Sequence, residues 1–335
     1  MNLKEKIKIV ESELAGKKVA IGFSGGADST FIAYLASKVS SDVLAITIDN
    51  HLMPTDFIAH TKNMAELFKI NHEIVDIDFY EDAEFLLNKP SRCYSCRNLM
   101  YEQIRKVAHE RGFDYVCDGN NISDLVVDRP GILITYKNKF ETPLITAKLT
   151  SKDIHEYLDE NGIPYSRSTT CLATRIPTNT KTTKRKIERI SFCEDYILAN
   201  TNCEIVKVRD FEEIGMCEVD KIEEIINDNK FKQINDALKS KGFKKVTLNL
   251  TPLDDNEFID IDFENDSFEY RLPFTINLED TAKQLSQIIS EYGEKIEIEN
   301  FTIYENGLIK GIDFKNKKEA LNSFMELLPK LRRNV

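Results

Sequence analysis

The segment VAIGFSGGADST, residues 19–30, constrains the fold most, because an apolar strand pattern leads through two glycines directly into a helix pattern. Glycines let the backbone approach phosphate oxygens, while serine hydroxyls and helix N-terminal amides point toward such an anion. The segment therefore predicts a phosphate-binding loop made by Ser24, Gly25, Gly26 and Ser29. A plain glycine-rich turn is the alternative. The lysine of a GxxxxGK[ST] pattern is absent, so transfer of a γ-phosphoryl group is not expected.

Asp28 follows the glycines and falls in the first turn of the predicted helix. A carboxylate there is useful beside a pyrophosphate if it holds Mg²⁺ or orients the ligand; the alternative is an acidic residue that only complements the helix dipole. The next strand pattern ends in AITIDNHL, residues 45–52, where a doubly wound fold meets its nucleotide. We expect the backbone near Thr47 to contact adenine. His51 is interpreted more readily as a surface loop residue than as a ligand.

Strand and helix patterns alternate through the first 165 residues. Crossovers of about a dozen residues between β-branched runs indicate a parallel sheet with helices on its faces. The predicted fold class is α/β, with a doubly wound parallel sheet of the nucleotide-binding type. The strand patterns are KKVAIGF, DVLAITI, HEIVDID and DYVCDG, and the helix patterns begin at Asp28, span Phe57–Phe68 and cover 151–162, with Ser151 as the cap.

Two or three domains are expected, because one hydrophobic core rarely serves 335 residues. We assign residues 1–180 to the nucleotide-binding domain and residues 181–252 to a small α+β domain. The latter opens with a basic helix from about Thr182 and continues with strands at 203–211, 215–220 and 244–250 and a helix near 220–241.

Residues 253–335 are predicted to form an additional α+β module. Residues 250–335 contain 18 acidic and 10 basic residues, which contribute −8 to the total net charge of −11. The body of the chain is therefore close to neutral. The pattern of the module gives a strand at 268–276, a helix at 279–292, two strands about a turn at 305–307, and a final helix.

The composition is ordinary for a soluble globular chain, and no apolar run approaches the roughly 20 residues that span a bilayer. The opening MNLKEKIKIVESELAGKK is a charged amphipathic helix pattern without the apolar core of a signal peptide. We therefore expect a cytoplasmic protein that contacts no membrane. The net charge works against broad attraction to nucleic acid. The sequence is compatible with a homo-oligomer and does not decide the oligomeric state.

Two of the seven cysteines, Cys93 and Cys96, form a CxxC pattern in SRCYSCRN. Thiolates at this spacing near a helix start can chelate one soft centre, and we expect the helix end to lower their pKa. A redox pair needs no third cysteine, whereas a zinc or iron-sulfur site does. Cys171 is the best third candidate, because its polar loop also carries Arg167 and Arg175; a buried loop thiol is the alternative. The remaining cysteines are interpreted as core residues: Cys117, Cys193, Cys203 and Cys217.

Anion binding also requires cations outside the glycine loop. The candidates are Arg97, Arg175 and the pair Lys207 and Arg209 on EIVKVRDF, since guanidinium and ammonium groups bind oxyanions. Taken singly, each of them is interpreted more readily as a solvated surface charge. The basic run KTTKRKIER is interpreted as a solvated helix face, with a nucleic-acid contact as the alternative.

Five motifs follow one another in the chain: SGGADST, NKPSRCYSCR, DGNNISDLVVDRPG, ETPLITAKLTSKDI and CLATRIP. In this order they resemble the LarE-like ATP-dependent sulfur transferases of the PP-loop ATP pyrophosphatase superfamily, whose members split ATP between its α and β phosphates. The resemblance covers roughly residues 8–250, including VKVRDFEEIGMCEV and LKSKGFKKVTLNL. It does not extend to the acidic module after about residue 255.

The resemblance implies an enzyme that uses ATP and Mg²⁺ to adenylate a carboxylate of a pyridinium mononucleotide and then builds a thiocarboxylate, in nickel-pincer nucleotide biosynthesis or a related thiolation. It assigns the chemistry to Cys171, as the sulfur-carrying cysteine, and to Asp28, Arg97 and Arg175. ATP would contact Ser24, Gly25, Gly26, Asp28, Ser29 and Thr47, and the substrate would contact Arg97, Thr174, Arg175, Lys207 and Arg209. The family more often has Lys at 97, Ser at 174 and Arg at 207, which are chemically similar.

The resemblance also leaves two sulfur sources. Some members carry only the Cys171 equivalent and sacrifice its sulfur, which leaves dehydroalanine. Here Cys93 and Cys96 add two thiolates, and three cysteines can hold a [4Fe-4S] cluster whose open iron binds sulfide from a donor. Two other interpretations remain: a tRNA thiolase, which also combines a PP-loop with three cysteines, and a nucleotide-binding module with structural zinc at the same cysteines.

Overall fold

The computed structural model describes residues 1–128, 131–167, 170–226, 230–254, 259–286, 288 and 290–334. Three sheets form within these ranges, and one of them is wholly parallel. One sheet falls in each of the three ranges predicted as domains, and the division into domains stays a prediction. No helix in the described part of the chain combines the length and apolar character that crossing a bilayer requires.

In the described residues, the first sheet has four parallel strands, and eight helices accompany it along the chain. Its strands are β1 (Lys18–Gly22), β2 (Asp42–Asp49), β3 (Asn71–Asp76) and β4 (Tyr115–Cys117), in the order β3-β2-β1-β4. Its helices are α1 (Leu3–Leu14), α2 (Ala27–Val39), α3 (Phe57–Phe68), α4 (Ala83–Leu86), α5 (Arg92–Glu110), α6 (Ile132–Lys137), α7 (Pro143–Thr146) and α8 (Ser151–Glu160).

Helices cover both faces of this sheet. Val19 and Ile21 of β1 pack with apolar side chains of α1, α2 and α8, whereas Ala20 packs with side chains of α5. Successive residues of a strand point to opposite faces, and a parallel sheet is stable when both faces are buried. The predicted α/β, doubly wound fold class is thereby confirmed.

The helix for which Ser151 is the predicted cap begins one residue earlier than expected, because Thr150 is its cap. The Thr150 hydroxyl accepts a hydrogen bond from the Asp153 amide at 3.2 Å, and the Asp153 carboxylate accepts one from the Thr150 amide at 3.0 Å. This reciprocal arrangement satisfies two backbone amides at the helix start. Ser151 is therefore the first helical residue.

A second, smaller sheet follows the first in the chain. Its elements are α9 (Lys184–Asn200), β5 (Val206–Phe211), β6 (Ile214–Val219), α10 (Glu223–Ile226), α11 (Lys230–Ser240) and β7 (Lys245–Leu248). Strand β6 lies in the middle, antiparallel to β5 and parallel to β7. The helix predicted near 220–241 corresponds to α10 and α11 in the described residues. Residues 227–229 between them lie outside the described ranges.

The third sheet is antiparallel and has six strands in the order β10-β11-β12-β13-β9-β8. Its elements are β8 (Phe263–Glu264), β9 (Ser267–Arg271), α12 (Leu278–Ala282), β10 (Ser290–Tyr292), β11 (Lys295–Ile298), β12 (Phe301–Tyr304), β13 (Leu308–Gly311) and α13 (Lys317–Leu327). The predicted turn at 305–307 joins β12 to β13, and α13 is the predicted final helix.

Two predictions in this module are wrong. The helix at 279–292 ends at Ala282, and β10 occupies part of its range; residues 287 and 289 lie outside the described ranges. Gly293 has a φ of +51° and turns the chain so that β10 pairs with β11, and this pairing overrides the helical pattern. The strand predicted to reach residue 276 ends at Arg271, close to Pro273, which has no amide hydrogen for a ladder.

The third module shares a hydrophobic core with the first sheet's domain. Ile122 and Leu125, in a 3-10 turn after β4, and Ile132 of α6 pack in one cluster with Phe324 and Leu331 of the module. The contact surface is also held by ion pairs, including one from Arg333 to Asp128 at 2.7 Å. The module is therefore packed directly behind a turn that begins at the carboxyl end of the parallel sheet.

Candidate functional site

A cavity of about 630 Å³ lies at the carboxyl ends of the parallel strands. Its lining comes from the glycine loop, from α5, from the 3-10 turn Leu172–Arg175, from β5 and from Leu253 and Asp254 at the start of the third module. The predicted residues that line it are Ser24, Gly26, Asp28, Ser29, Cys93, Cys96, Arg97, Cys171, Thr174 and Lys207. The other predicted residues, Gly25, Thr47, Arg175 and Arg209, lie outside its lining.

The glycine loop connects β1 to α2 through hydrogen bonds among its own residues. The Ser24 amide donates to the Ser29 hydroxyl at 3.2 Å, and the Gly26 amide donates to the Ser24 hydroxyl at 3.4 Å. Gly25 has a φ of +70°, and a Cβ there would lie 2.7 Å from His60 Cδ2. Glycine is therefore required at this position both by conformation and by space.

A second glycine brings β4 close to the start of α2. A Cβ at Gly119 would lie 2.9 Å from both the Asp28 Cβ and the Ser29 amide nitrogen. Gly119 is not among the residues predicted from the sequence, although it stands in the motif DGNN directly after a strand pattern. The close approach places the residues after β4 against the helix N-terminus, which is where an anion binds.

Asp28 is oriented by those residues. The Asn121 side-chain amide donates to Asp28 Oδ1 at 3.0 Å, and the Asn121 amide donates to Asp124 at 2.9 Å. Asp28 and Asp124 both line the cavity beside the glycine loop. Two carboxylates at a phosphate site are hard oxygen donors of the kind that Mg²⁺ prefers. Sequence reasoning missed Asn121 and Asp124, for which the only local signal is a capping pattern, NISD.

Thr47 lies near the end of β2 and His51 lies just after it, and neither residue lines the cavity. The Thr47 hydroxyl donates to the Phe23 carbonyl at 2.8 Å and contacts His72 Nε2 at 2.9 Å, while its neighbours Ile46 and Ile48 line the cavity. The contact of adenine with backbone near Thr47 stays a prediction. His51 is exposed and pairs with Asp76 at 2.9 Å, as expected for a surface loop residue.

Three cysteines approach the cavity from two elements. Cys93 lies in the first turn of α5, Cys96 lies one turn further along, and Cys171 directly precedes the 3-10 turn Leu172–Arg175. Burial, together with the charges of Cys171 and Cys93, raises the pKa of Cys96 to about 12. The expected lowering of its pKa by the helix end is wrong, because Cys96 is beyond the first turn and burial dominates.

The pKa of Cys171 is also raised by burial. The Ala173 amide and the Arg92 guanidinium act in the opposite direction, and Arg175 does so more weakly. Arg167, the other cation predicted to flank this cysteine, pairs with Glu204 at 3.1 Å. Sequence reasoning missed Arg92, which is adjacent to the CxxC pattern.

The donor set suits a soft, positively charged group. Cys93 is exposed, whereas Cys96 and Cys171 are partly buried. A soft cation would stabilise their thiolates. Among the described residues, the three Sγ atoms do not all lie within 4.8 Å of one another. One tetrahedral zinc ion with Zn–S bonds of about 2.3 Å would require the Sγ atoms to lie about 3.8 Å from one another. An iron-sulfur cluster places each thiolate on a different iron, so its ligands are spaced more widely.

Arg97 is fixed by a buried polar network. Its guanidinium donates to the Tyr101 hydroxyl at 2.5 Å and to Asn120 Oδ1 at 2.9 Å, and it lies 3.7 Å from Asp118. The Tyr101 hydroxyl in turn donates to Asp118 at 2.7 Å. A Cβ at Gly131 would lie 2.5 Å from Arg97 Cδ, so the guanidinium has little room to move. Sequence reasoning missed these partners, which come from separate elements.

Arg175 and Arg209 support the wall that carries Thr174. Arg175 is 2% exposed, donates to Glu194 at 2.8 Å and to the Thr174 hydroxyl at 2.9 Å. Arg209 donates to the Thr174 carbonyl at 2.9 Å and to Glu218 at 2.8 Å. Their contact with a substrate stays a prediction; the contacts within the chain give them positioning roles.

Lys207 lines the cavity on the same wall. Burial lowers its pKa, and the neighbouring charges of Arg175 and Arg209 act in the same direction. An anion in the cavity would offset both effects, because it favours the charged ammonium. This wall of the cavity is therefore electropositive.

We expect Glu194→Ala to lower the free energy of unfolding by about 3–5 kcal/mol, because it leaves the Arg175 guanidinium buried without its carboxylate. The two side chains are only 6% and 1% exposed. Urea unfolding followed by circular dichroism measures the change. The matched control is Glu279→Ala, which breaks the exposed pair with Lys283 and should have no measurable effect. Similar stabilities of the two variants would contradict a structural role for the buried pair.

The parallel sheet, the glycine loop and the cavity at its strand ends define the PP-loop ATP pyrophosphatase class. A family model described as NAD synthase matches residues 2–100. The chain is 31% identical over 250 residues to an uncharacterized protein of Methanocaldococcus jannaschii, covering 74% of this chain and 93% of that protein. It belongs to the family of that protein, the LarE-like proteins of the PP-loop superfamily.

Two other relatives have names that state an activity. The chain is 25% identical over 242 residues to the pyridinium-3,5-bisthiocarboxylic acid mononucleotide synthase of Lactiplantibacillus plantarum, covering 70% of this chain and 86% of that protein. It is 32% identical over 120 residues to a tRNA-specific 2-thiouridylase of Fusobacterium nucleatum, covering 32% of this chain and 34% of that protein. The second similarity is confined to about a third of each chain.

Proposed function

We propose that this chain is an ATP-dependent sulfur transferase that adenylates a carboxylate of a small, nucleotide-like substrate and then replaces the adenylate with sulfur. The observation that carries the proposal is that one cavity is lined by both the glycine loop and three cysteine thiols. An ATP bound on the loop and a sulfur held at the thiols would therefore meet the same substrate. The name and coverage of the Lactiplantibacillus relative support this assignment.

In the first step a carboxylate oxygen attacks the α-phosphorus of ATP, and the bond to the bridging oxygen of the β-phosphate breaks. The acyl adenylate forms and pyrophosphate leaves. The glycine loop and the amides at the start of α2 would bind the phosphates. Asp28 and Asp124 would hold Mg²⁺, which neutralises phosphate charge. Lys207, Arg97 and Thr174 would bind the anionic groups of the substrate.

In the second step a sulfide attacks the carbonyl carbon of the acyl adenylate, AMP leaves with the former carboxylate oxygen, and a thiocarboxylate remains. Cys93, Cys96 and Cys171 would hold a [4Fe-4S] cluster, which when bound supplies a soft iron site for sulfide. Sulfide or another sulfur donor is the partner. Arg92 places a positive charge beside Cys93 and Cys171, where anionic sulfur is to be held.

We expect the chain to convert ATP to AMP and pyrophosphate, because the loop has the serines and glycines of the PP-loop and no P-loop lysine. The assay contains a pyridinium mononucleotide with a free carboxylate, sulfide and Mg²⁺, without oxygen, and chromatography identifies the nucleotide products. Omission of the carboxylate is the control and should prevent net AMP formation. ADP and phosphate as products would contradict the proposal.

A tRNA thiolase is the second candidate, and the similarity to the Fusobacterium enzyme favours it. The net charge of −11 argues against it, since binding to a polyanion is dominated by contacts with phosphates. Tight tRNA binding with a steep dependence on salt concentration would support the thiolase.

A further inference from the structure

Asn88, just before α5, contacts the segment that follows Cys171. Its side-chain amide nitrogen lies 3.3 Å from the Ile176 carbonyl oxygen and 2.9 Å from those of Pro177 and Thr180. Asn88 is 2% exposed, and its φ of +54° is in the left-handed region. One side chain thus holds three carbonyl groups of a segment that is distant in sequence.

Arg92 continues this set of contacts to the cysteines. Its Nη1 donates to the Asn88 side-chain oxygen and, at 2.8 Å, to the Ala173 carbonyl in the turn that follows Cys171. Its Nη2 lies 3.2 Å from Cys93 Sγ. The arginine therefore touches both elements that carry cysteine thiols.

Apolar packing also joins these two elements, because Leu99 and Met100 of α5 pack against the cluster that contains Leu172, Ala173 and Ile176. Such packing is not directional, so it brings the two elements together without fixing their register. Hydrogen bonds from a planar amide and a planar guanidinium have defined directions and do fix it.

We propose that Asn88 and Arg92 form a clamp that sets the position of the Cys171 turn relative to the Cys93–Cys96 helix before any metal binds. Both are positioning residues. Without the clamp, a group bound by all three thiols would have to order the Cys171 turn itself, and the ordering cost would weaken its binding. The part of the proposal that concerns iron rests on the proposed function, whereas the part that concerns thiol positions does not.

The test compares Asn88→Gly, Arg92→Lys and wild-type chain, all metal-free and reduced. Glycine keeps the left-handed backbone and removes only the side-chain contacts. Lysine keeps the positive charge but lacks the planar guanidinium group, which donates hydrogen bonds in two fixed directions. The control is Asn265→Gly, which changes the same residue type at a φ of +49° in the third module. A fluorescent ATP analogue should bind all four proteins equally, which shows that they are folded.

Dibromobimane, which bridges neighbouring thiols, is followed by peptide mapping. We expect the bridge from Cys171 to Cys93 or Cys96 to fall at least fivefold in both clamp variants and to stay unchanged in Asn265→Gly. The bridge between Cys93 and Cys96 is an internal control, because both lie on α5. Wild-type yields of the Cys171 bridge in both clamp variants would overturn the proposal.

Iron retention against a chelator, measured without oxygen, is the second readout. We expect the apparent affinity for iron to fall by about 10–100-fold in the clamp variants, as for other residues that orient metal ligands. If the Cys171 bridge falls in both clamp variants but the wild-type chain binds no iron, the result would support the clamp and refute the cluster. Unchanged iron retention with unchanged bridging would refute the clamp.

Discussion

We expect Cys93→Ser, Cys96→Ser and Cys171→Ser each to lose iron and sulfur transfer together. The three thiols line one cavity, and a site with three protein ligands tolerates little ligand loss. Iron per chain, the visible absorption spectrum and thiocarboxylate formation are measured after reconstitution without oxygen. The control is Cys203→Ala, which changes a buried thiol of the second sheet's core and should keep both properties.

The same experiment separates the two sulfur sources. If Cys171 gives up its own sulfur, only the Cys171→Ser variant is inactive. The wild-type chain then delivers one sulfur and stops, and the mass of its residue 171 falls by that of one hydrogen sulfide. We expect intact Cys171 and several sulfurs delivered per chain in the presence of sulfide. Mass spectrometry of the reacted protein detects the difference, and dehydroalanine at position 171 in an iron-loaded sample would refute the cluster mechanism.

We expect Asp28→Ala to reduce AMP formation on the order of 100-fold or more, while iron content and fold are unchanged. Asp28 faces the cavity at the start of α2 and is held by Asn121, so its loss removes a carboxylate from the phosphate site but no core packing. AMP release is measured beside circular dichroism and iron analysis. Asp56→Ala, an exposed carboxylate just before α3, is the matched control and should be fully active. Full activity of Asp28→Ala would show that the metal role is wrong.

The predictions that were confirmed rest on local sequence patterns. The glycine loop lies within a dozen residues, and its strand, turn and helix signals are contiguous. The helix Phe57–Phe68 has the predicted bounds, since its apolar periodicity is local. The parallel sheet followed from repeated alternation of such local elements.

Contacts between distant segments account for what the sequence did not predict. Arg97 depends on Asp118 and Asn120, which reach it only when β4 lies beside α5. Arg175 was interpreted as a cavity cation, yet the fold buries it against Glu194. The pKa of Cys96 depends on burial, which no spacing between cysteines encodes. The mistaken helix at 279–292 has the same origin, because β10 exists only through its pairing with β11.

The shared core between the third module and the 3-10 turn has a thermodynamic consequence. The turn at Ile122–Leu125 is capped by Asn121, which holds Asp28, and its apolar side chains pack against α13 and the chain after it. Elements that share one core open together in hydrogen exchange. A nucleotide that binds only the folded site stabilises the whole cooperative unit by RT ln(1 + [L]/Kd). We therefore expect amide protection in the acidic module to rise when a nucleotide binds at the glycine loop of the first sheet.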